Sequence, residues 1–142
     1  MKAPEFSYRR PADIEAALAL LAAHPGDAQV LAGGQSLIPT LNMRLSSPGM
    51  LVDINRIEAL RGIEDRGREV RIGARVPLLA LAIPHVAHMA VRNRGTTCGS
   101  LALADPAAEM PAVAVALDAR IVLRSRAATR TVPARAFFQD LY

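Results

Sequence analysis

Val30-Leu31-Ala32-Gly33-Gly34-Gln35-Ser36-Leu37 is the stretch on which the reading of this chain turns: an apolar run stops at a glycine pair, and a polar, helix-starting sequence begins. Glycine lacks a Cβ, so two in succession reach positive φ and let backbone N–H groups converge on one small space. Ser36 is a residue type suited to capping a helix, and a helix beginning there adds the positive end of its dipole to that space. The pattern suits a phosphate. An ordinary strand-to-helix turn that needs glycine for sterics alone also produces it, and these eight residues leave both readings open.

Upstream, residues 28–31 read as a short apolar strand. Before them Ile14, Ala17, Leu18 and Leu21 recur at helical spacing between an N-capping Asp13 and the stop Pro25-Gly26. Phe6 and Tyr8, two apart, suit an edge strand ending at Arg9-Arg10-Pro11. Downstream, Leu37, Leu41 and Leu45 form one stripe of a helix predicted over residues 36–45, with Pro39 tolerated in its first turn. Residues 50–54 read as a strand, 55–60 as a single helical turn, and 63–72 as a hairpin around a Gly-containing turn. Residues 77–91 have helical composition with a cap or kink at Pro84. Residues 92–100 then read as a polar loop, and 107–119 as a second aliphatic helix interrupted by Pro111. Residues 120–125 and 129–132 pair as a hairpin turning at Arg126-Ala127-Ala128. The sum is an α+β chain, and no repeat or low-complexity linker divides residues 1–142.

Composition narrows the class. With 142 residues the chain is one domain's worth, able to bury roughly 68–70% of its unfolded surface. At 51% hydrophobic and 21% charged it is globular rather than disordered, and with 4% aromatics and no Trp its core is aliphatic. The net charge of +4 is spread over arginines such as Arg9, Arg56, Arg94 and Arg130 without the aromatic interleaving of a nucleic-acid surface, so no nucleic-acid partner is expected. Cys98 is the single cysteine, which excludes an internal disulfide and any multi-cysteine zinc or iron–sulfur site formed by this chain alone. His85 and His88 are three apart with no third ligand nearby, so no metal site is expected there. Met1-Lys2-Ala3-Pro4-Glu5 lacks the apolar core of a signal peptide, and no apolar run reaches the ~18 residues of a membrane span. The expected location is cytoplasmic.

Two small Gly-containing polar stretches therefore punctuate the chain. Neither shows G-x-G-x-x-G after a strand, and the P-loop pattern G-x-x-x-x-G-K-[ST] is missing, so a nucleotide bound here needs a different cradle. In the second stretch Thr96, Thr97 and Ser100 offer hydroxyl donors, and the backbone at Gly99 admits close approach of a ligand. A solvent-exposed connector is the other reading of it.

Taken together, Val30-Leu31-Ala32-Gly33-Gly34-Gln35-Ser36-Leu37-Ile38-Pro39 and Arg92-Asn93-Arg94-Gly95-Thr96-Thr97-Cys98-Gly99-Ser100-Leu101-Ala102, with Ala104-Asp105-Pro106-Ala107-Ala108-Glu109, carry a resemblance. They look like the two flavin-binding signatures of the molybdenum hydroxylase FAD subunits, the medium subunits of the carbon monoxide dehydrogenase and xanthine dehydrogenase family. Phe6-x-Tyr8-x-x-Pro11, Leu51-Val52-Asp53-Ile54-Asn55, Arg71-Ile72-Gly73-Ala74 and Leu117-Asp118-Ala119 extend the similarity along the chain. The order and number of these motifs make it specific.

The resemblance implies a PCMH-type FAD-binding domain of α+β class, with small mixed sheets and flanking helices. It implies FAD as cofactor, with Ala32, Gly33, Gly34, Gln35 and Ser36 around the pyrophosphate and Val30, Leu31 and Leu37 lining the approach. Thr96, Thr97, Cys98, Gly99 and Ser100 would hold the diphosphate and ribityl region from the other side. Glu109, with Asp105 as a neighbour, falls where the family places an acidic hydrogen-bond partner for FAD. Cys98 stands where the family pattern T-x-G-G-S or T-x-G-G-N has its first glycine. A small residue beside the cofactor is the preferred reading of it, ahead of a reactive thiol activated by loop N–H groups. Arg92 and Arg94 are expected to anchor the loop or contact another subunit.

The implied function is electron transfer through FAD from an iron–sulfur subunit, with molybdopterin and the iron–sulfur clusters in partner subunits and no acid–base residue in this chain. Two departures from the family stand out. Further loop and helix normally separate Arg75-Val76 from Pro77-Leu78, and family members continue beyond Phe137-Phe138-Gln139-Asp140-Leu141-Tyr142. The resemblance thus implies a truncated chain lacking the family's C-terminal domain. The competing expectation is a non-enzymatic interaction module, a degenerate subunit that keeps the fold without flavin.

Overall fold

Met50–Asp53 is a strand in which every residue is buried, the pattern of a parallel strand covered on both faces rather than the alternation of a half-exposed one. The computed structural model describes residues 2–67, 69–74, 89–105 and 107–139. In it, β1 (Ser7–Arg9) and β2 (Ala28–Leu31) flank β3 (Met50–Asp53) in a three-stranded sheet. Both pairings are parallel, with Tyr8 opposite Leu51 and Val30 opposite Val52. Parallel neighbours require the chain to return to the same end of the sheet before each new strand. The returns are α1 (Ile14–Ala23) and α2 (Leu37–Asn42).

α1 starts where the sequence predicts. Asp13 has an extended backbone, and its carboxylate accepts the Ala16 N–H at 2.8 Å, satisfying one of the free donors of the first turn. The helix lays Ala17 on Met50, Val52, Ile54 and Ile57, with Ile14, Leu20 and Leu21 around it. The residue at the centre of that contact is small, which lets the helix sit close to the sheet.

α2 departs from its leucine stripe. It ends at Asn42 rather than near Leu45, because Arg44 takes φ 58°, a left-handed conformation that no continuing helix admits. Ser36 does not cap it. Its backbone is already helical (φ −93°, ψ −46°) and its side chain makes no capping bond, whereas a cap needs an extended backbone.

A short 3-10 turn at Glu58–Leu60 leads to the hairpin of β4 (Ile63–Asp65) and β5 (Val70–Ile72), with Glu64 opposite Arg71. The last hairpin, β6 (Arg120–Arg124) and β7 (Thr129–Pro133), places Val122 opposite Thr131. Both follow the sequence prediction. Among the described residues, strand senses mix between sheets and not within them: one sheet is parallel and two are antiparallel.

The polar stretch 92–100 is largely helical rather than a loop. α3 (Met89–Arg94) runs into it, and α4 (Thr97–Leu103) begins after Gly95 and Thr96. The cause is Thr96, whose extended backbone (φ −115°, ψ 147°) lets Oγ1 accept the Gly99 N–H at 3.1 Å. α5 (Glu109–Ala116) is shorter than predicted but uninterrupted. Pro111 is its third residue, where a backbone N–H has no intrahelical acceptor to lose. α6 (Ala134–Phe137) follows β7, and the Ala134 N–H donates to the Ala119 carbonyl at 2.8 Å. The predicted kink at Pro84, the pair His85 and His88, and the junction of residues 76 and 77 lie outside the described residues.

Candidate functional site

β2 delivers the chain to the glycine pair at the carboxyl end of the parallel sheet, the end at which open sheets of this sense receive ligands. Two bonds fix the start of the loop. The Ile54 N–H donates to the Leu31 carbonyl at 3.0 Å, and Asn55 Nδ2 donates to the Ala32 carbonyl at 2.8 Å. Gly34 then takes φ +74°, which a residue with a Cβ enters only under strain. Gly33 is required for a different reason. A Cβ placed there would lie 1.9 Å from the Arg94 carbonyl oxygen and 3.3 Å from Gly95 Cα. The two stretches singled out by sequence meet here, backbone against backbone.

On the second side, Thr96 and Thr97 are buried, at 8% and 5% exposure. They are less open than the hydroxyl donors that the sequence suggests, and Thr96 Oγ1 accepts the Gly99 N–H in starting α4. Gly99 serves that cap: a Cβ on it would come within 2.6 Å of Thr96 Oγ1. Cys98 is half-buried, with Sγ 3.9 Å from the Gly73 carbonyl oxygen. Burial pushes its thiol pKa up, so a neutral thiol rather than a reactive thiolate occupies the position. Ser100 is half-buried within α4.

The remaining candidates divide. Leu31, Gln35 and Leu37 are half-buried at the loop, while Val30 is 44% exposed and Ser36 is exposed. Asp105 is engaged locally, its carboxylate accepting the Ala107 N–H at 2.9 Å, and Glu109 is half-buried in the first turn of α5. Among the described residues no hydrogen bond joins Asp105 or Glu109 to the glycine loop. Arg94, expected as a loop anchor, contributes through its backbone carbonyl at Gly33.

The donor chemistry of the seam is one-sided. The backbone N–H groups of Gly33, Gln35 and Leu37 meet no acceptor among the described residues. Residues 30–37 and 94–100 contain no Asp or Glu. Free N–H groups and hydroxyls without a nearby carboxylate suit the oxygens of a phosphate diester. A bound metal cation is a poor fit, and among the described residues no group of three His, Cys, Asp or Glu is placed to hold one.

Residues 4–142 match the family described as the FAD binding domain in molybdopterin dehydrogenase. The chain belongs to that family. This FAD-binding domain is 42% identical to the carbon monoxide dehydrogenase medium chain of Hydrogenophaga pseudoflava, over 98% of the chain and 54% of the relative. It is 43% identical to the 6-hydroxypseudooxynicotine dehydrogenase complex subunit alpha of Paenarthrobacter nicotinovorans, over 94% of the chain and 50% of that relative. The fold agrees. The solved carbon monoxide dehydrogenase of H. pseudoflava superposes with a TM-score of 0.92 over 98% of this chain and 54% of its counterpart. Quinoline 2-oxidoreductase from Pseudomonas putida 86 superposes with a TM-score of 0.88 at 41% identity, over 100% and 56%. The chain spans about half the length of the relatives it matches. The one-sided donor set and the positive φ of Gly34 fit the diphosphate of FAD.

The FAD-binding domain also uses residues that the sequence reading did not place in the site. Asn55 holds the Ala32 carbonyl, and Asp53, only 5% exposed, accepts its neighbours' protons: the Asn55 N–H at 2.7 Å and the Tyr8 hydroxyl. Arg10 Nε lies 3.5 Å from the same carboxylate. Burial alone would raise the Asp53 pKa, but the hydrogen bonds from Tyr8 and Asn55 and the charge of Arg10 outweigh it and hold the carboxyl below its ordinary value. The available sequence signal was an Asp and an Asn two apart directly after an apolar strand, the composition of an Asx turn.

Proposed function

We propose that this chain holds FAD across the seam where residues 32–37 meet residues 94–100, and that it serves as the flavin subunit of a molybdenum hydroxylase. The observation that carries the reading is the backbone contact of Gly33 with Arg94 and Gly95, where a Cβ would stand 1.9 Å from the Arg94 oxygen. It joins the two stretches that the family resemblance assigns to the cofactor. FAD, when bound, supplies the redox chemistry and passes electrons from iron–sulfur clusters to an acceptor.

The chain's own part is to bind and orient. Free N–H groups of Gly33, Gln35 and Leu37 donate to the diphosphate, each such bond to a charged group contributing about 1.5–3 kcal/mol. Ala32 and the positive φ of Gly34 shape the loop, Ser36 adds a hydroxyl, and Val30 and Leu31 line the approach. Thr97, Cys98, Gly99 and Ser100 close the second side, with Thr96 setting the start of α4. Asp105 and Glu109 are assigned on motif position as acidic partners of the nucleotide. Scattered arginines add little at range, since charge is screened within about 8 Å at physiological salt. The medium-chain relatives support an assembly with an iron–sulfur subunit and a molybdenum-cofactor subunit, in which residues 1–142 form part of the flavin domain. We place the assembly in the cytoplasm; among the described residues, no helix is long and apolar enough to cross a membrane.

Purification provides the test. The protein is expected to be yellow and to release FAD on denaturation, or to quench the fluorescence of added FAD on reconstitution. A folded, colourless protein that does not take up FAD refutes the reading.

A further inference from the structure

A carboxylate at the end of a fully buried strand is costly unless hydrogen bonds replace its water. Asp53 receives them from two directions. Tyr8 on β1 donates its hydroxyl to one carboxylate oxygen, with Arg10 Nε 3.5 Å from that oxygen, and the Asn55 N–H donates to the other at 2.7 Å. The second bond turns the chain sharply after β3. Asn55 Nδ2 thereby reaches the Ala32 carbonyl at 2.8 Å. Ala32 is bonded directly to Gly33, which sits on the seam against Arg94.

A run of hydrogen bonds therefore connects Tyr8, Asp53, Asn55 and Ala32, beginning on the first strand and ending on the glycine loop. Its outer member is not part of the apolar core. Tyr8 is 47% exposed, and its hydroxyl is committed to Asp53. Removing that hydroxyl leaves the packing of Met50, Val52, Ile54 and Ile57 untouched. The Asn55 amide likewise adds nothing to the core and bears only on where the loop stands.

We infer that Asp53, clamped by Tyr8 and Arg10, is a positioning residue that sets the FAD-binding loop through Asn55 and the Ala32 carbonyl. The inference rests on the FAD reading above. It makes loop geometry, and with it flavin affinity, depend on a carboxylate that reaches the loop through Asn55.

Two variants of the full chain, purified with any subunits that accompany it, test the run. Asn55→Leu keeps the side chain near its size and removes the donor to Ala32 without adding charge; Tyr8→Phe removes one hydroxyl from an exposed ring and guards against a variant that fails to fold. FAD titration by fluorescence quenching is read beside the melting temperature of the flavin-free protein and the visible circular dichroism of bound flavin. Each variant is expected to lose roughly two- to tenfold in FAD affinity, the span of one hydrogen bond, with an altered flavin dichroism and an affinity loss larger than its fall in melting temperature accounts for. If the unsubstituted chain binds FAD and both variants bind it equally well with the same dichroism, the positioning role is overturned and the flavin reading stands. An affinity that falls only in step with the melting temperature also overturns it. If the unsubstituted chain takes up no FAD, both the flavin reading and the inference fail.

Discussion

Replacing Gly33 by Ala adds one methyl group where the seam has no room. The new Cβ would lie 1.9 Å from the Arg94 oxygen, 2.9 Å from its carbonyl carbon and 3.3 Å from Gly95 Cα, whereas ordinary contact begins at 3.4 Å. Every obstacle is backbone, so no rotamer relieves it. At the tightest point the two stretches must part by about 1.5 Å, the difference between the first and last of those distances. Overpacking of this kind costs about 1–3 kcal/mol. If the strain is released by opening the seam, FAD affinity falls by about 5- to 150-fold, at 1.4 kcal/mol per tenfold. The assay is FAD titration of the flavin-free protein, with thermal unfolding in parallel. Gly26→Ala supplies the control, because Gly26 has φ +76° with nothing within 4 Å of a Cβ. That variant is expected to lose stability through backbone strain while keeping its FAD affinity. A Gly33→Ala chain that binds FAD as tightly as the unsubstituted protein would refute the contact between the two stretches as the basis of the site.

Three further outcomes follow from the same geometry. The Asp53 pKa is lowered in the folded chain, so its stabilising contribution is full above the unfolded value of about 3.9 and is lost as pH falls through the lower folded value. Tyr8→Phe removes one lowering contact, so denaturant titrations should show the variant's deficit largest near neutral pH and shrinking as pH falls and Asp53 protonates in both chains; a deficit that does not change with pH counts against the clamp. Cys98 is held as a neutral thiol by burial, so a disulfide reagent at neutral pH should label it about tenfold or more slower in the native than in the unfolded chain, and equal rates contradict this. Thr96→Ala should cost about 0.5–2 kcal/mol as a lost helix cap. Gly99→Ala should destabilise the unsubstituted chain, where its Cβ meets Thr96 Oγ1 at 2.6 Å, but not a chain already carrying Thr96→Ala. Strictly additive effects in chemical denaturation would exclude that coupling.

What the sequence disclosed followed the range of the interaction involved. The Asp13 cap, the two hairpins and the strand at Met50–Asp53 rest on neighbours a few residues apart, and local pattern found them. The glycine pair was legible as a place of positive φ, which holds at Gly34 alone; what requires Gly33 is the backbone at Arg94, far along the chain. Thr96 was hidden by its company: a stretch rich in polar residues and glycine reads as a loop until one asks which side chain accepts the Gly99 N–H. Ser36 misled in the opposite sense, because residue type alone cannot reveal that its backbone is already helical. Asn55 left no periodic signal at all, since its bond to Ala32 spans an intervening helix and strand.

The sheet order carries a consequence for how the chain comes into being. Ser7 and Ala28 both pair with Met50, so neither β1 nor β2 has a partner until residues 50–53 have left the ribosome. Pairing between distant segments is slow, and unpaired strands are exposed to misassociation while they wait. The nascent chain therefore carries two unpaired strands until residue 50 emerges, one of them bearing the exposed Val30. The seam completes later still, when Arg94 arrives against Gly33. On the proposed reading cofactor capture waits for the residues around Arg94, and a ribosome stalled before Met50 would release a peptide whose first two strands have no partner in this sheet.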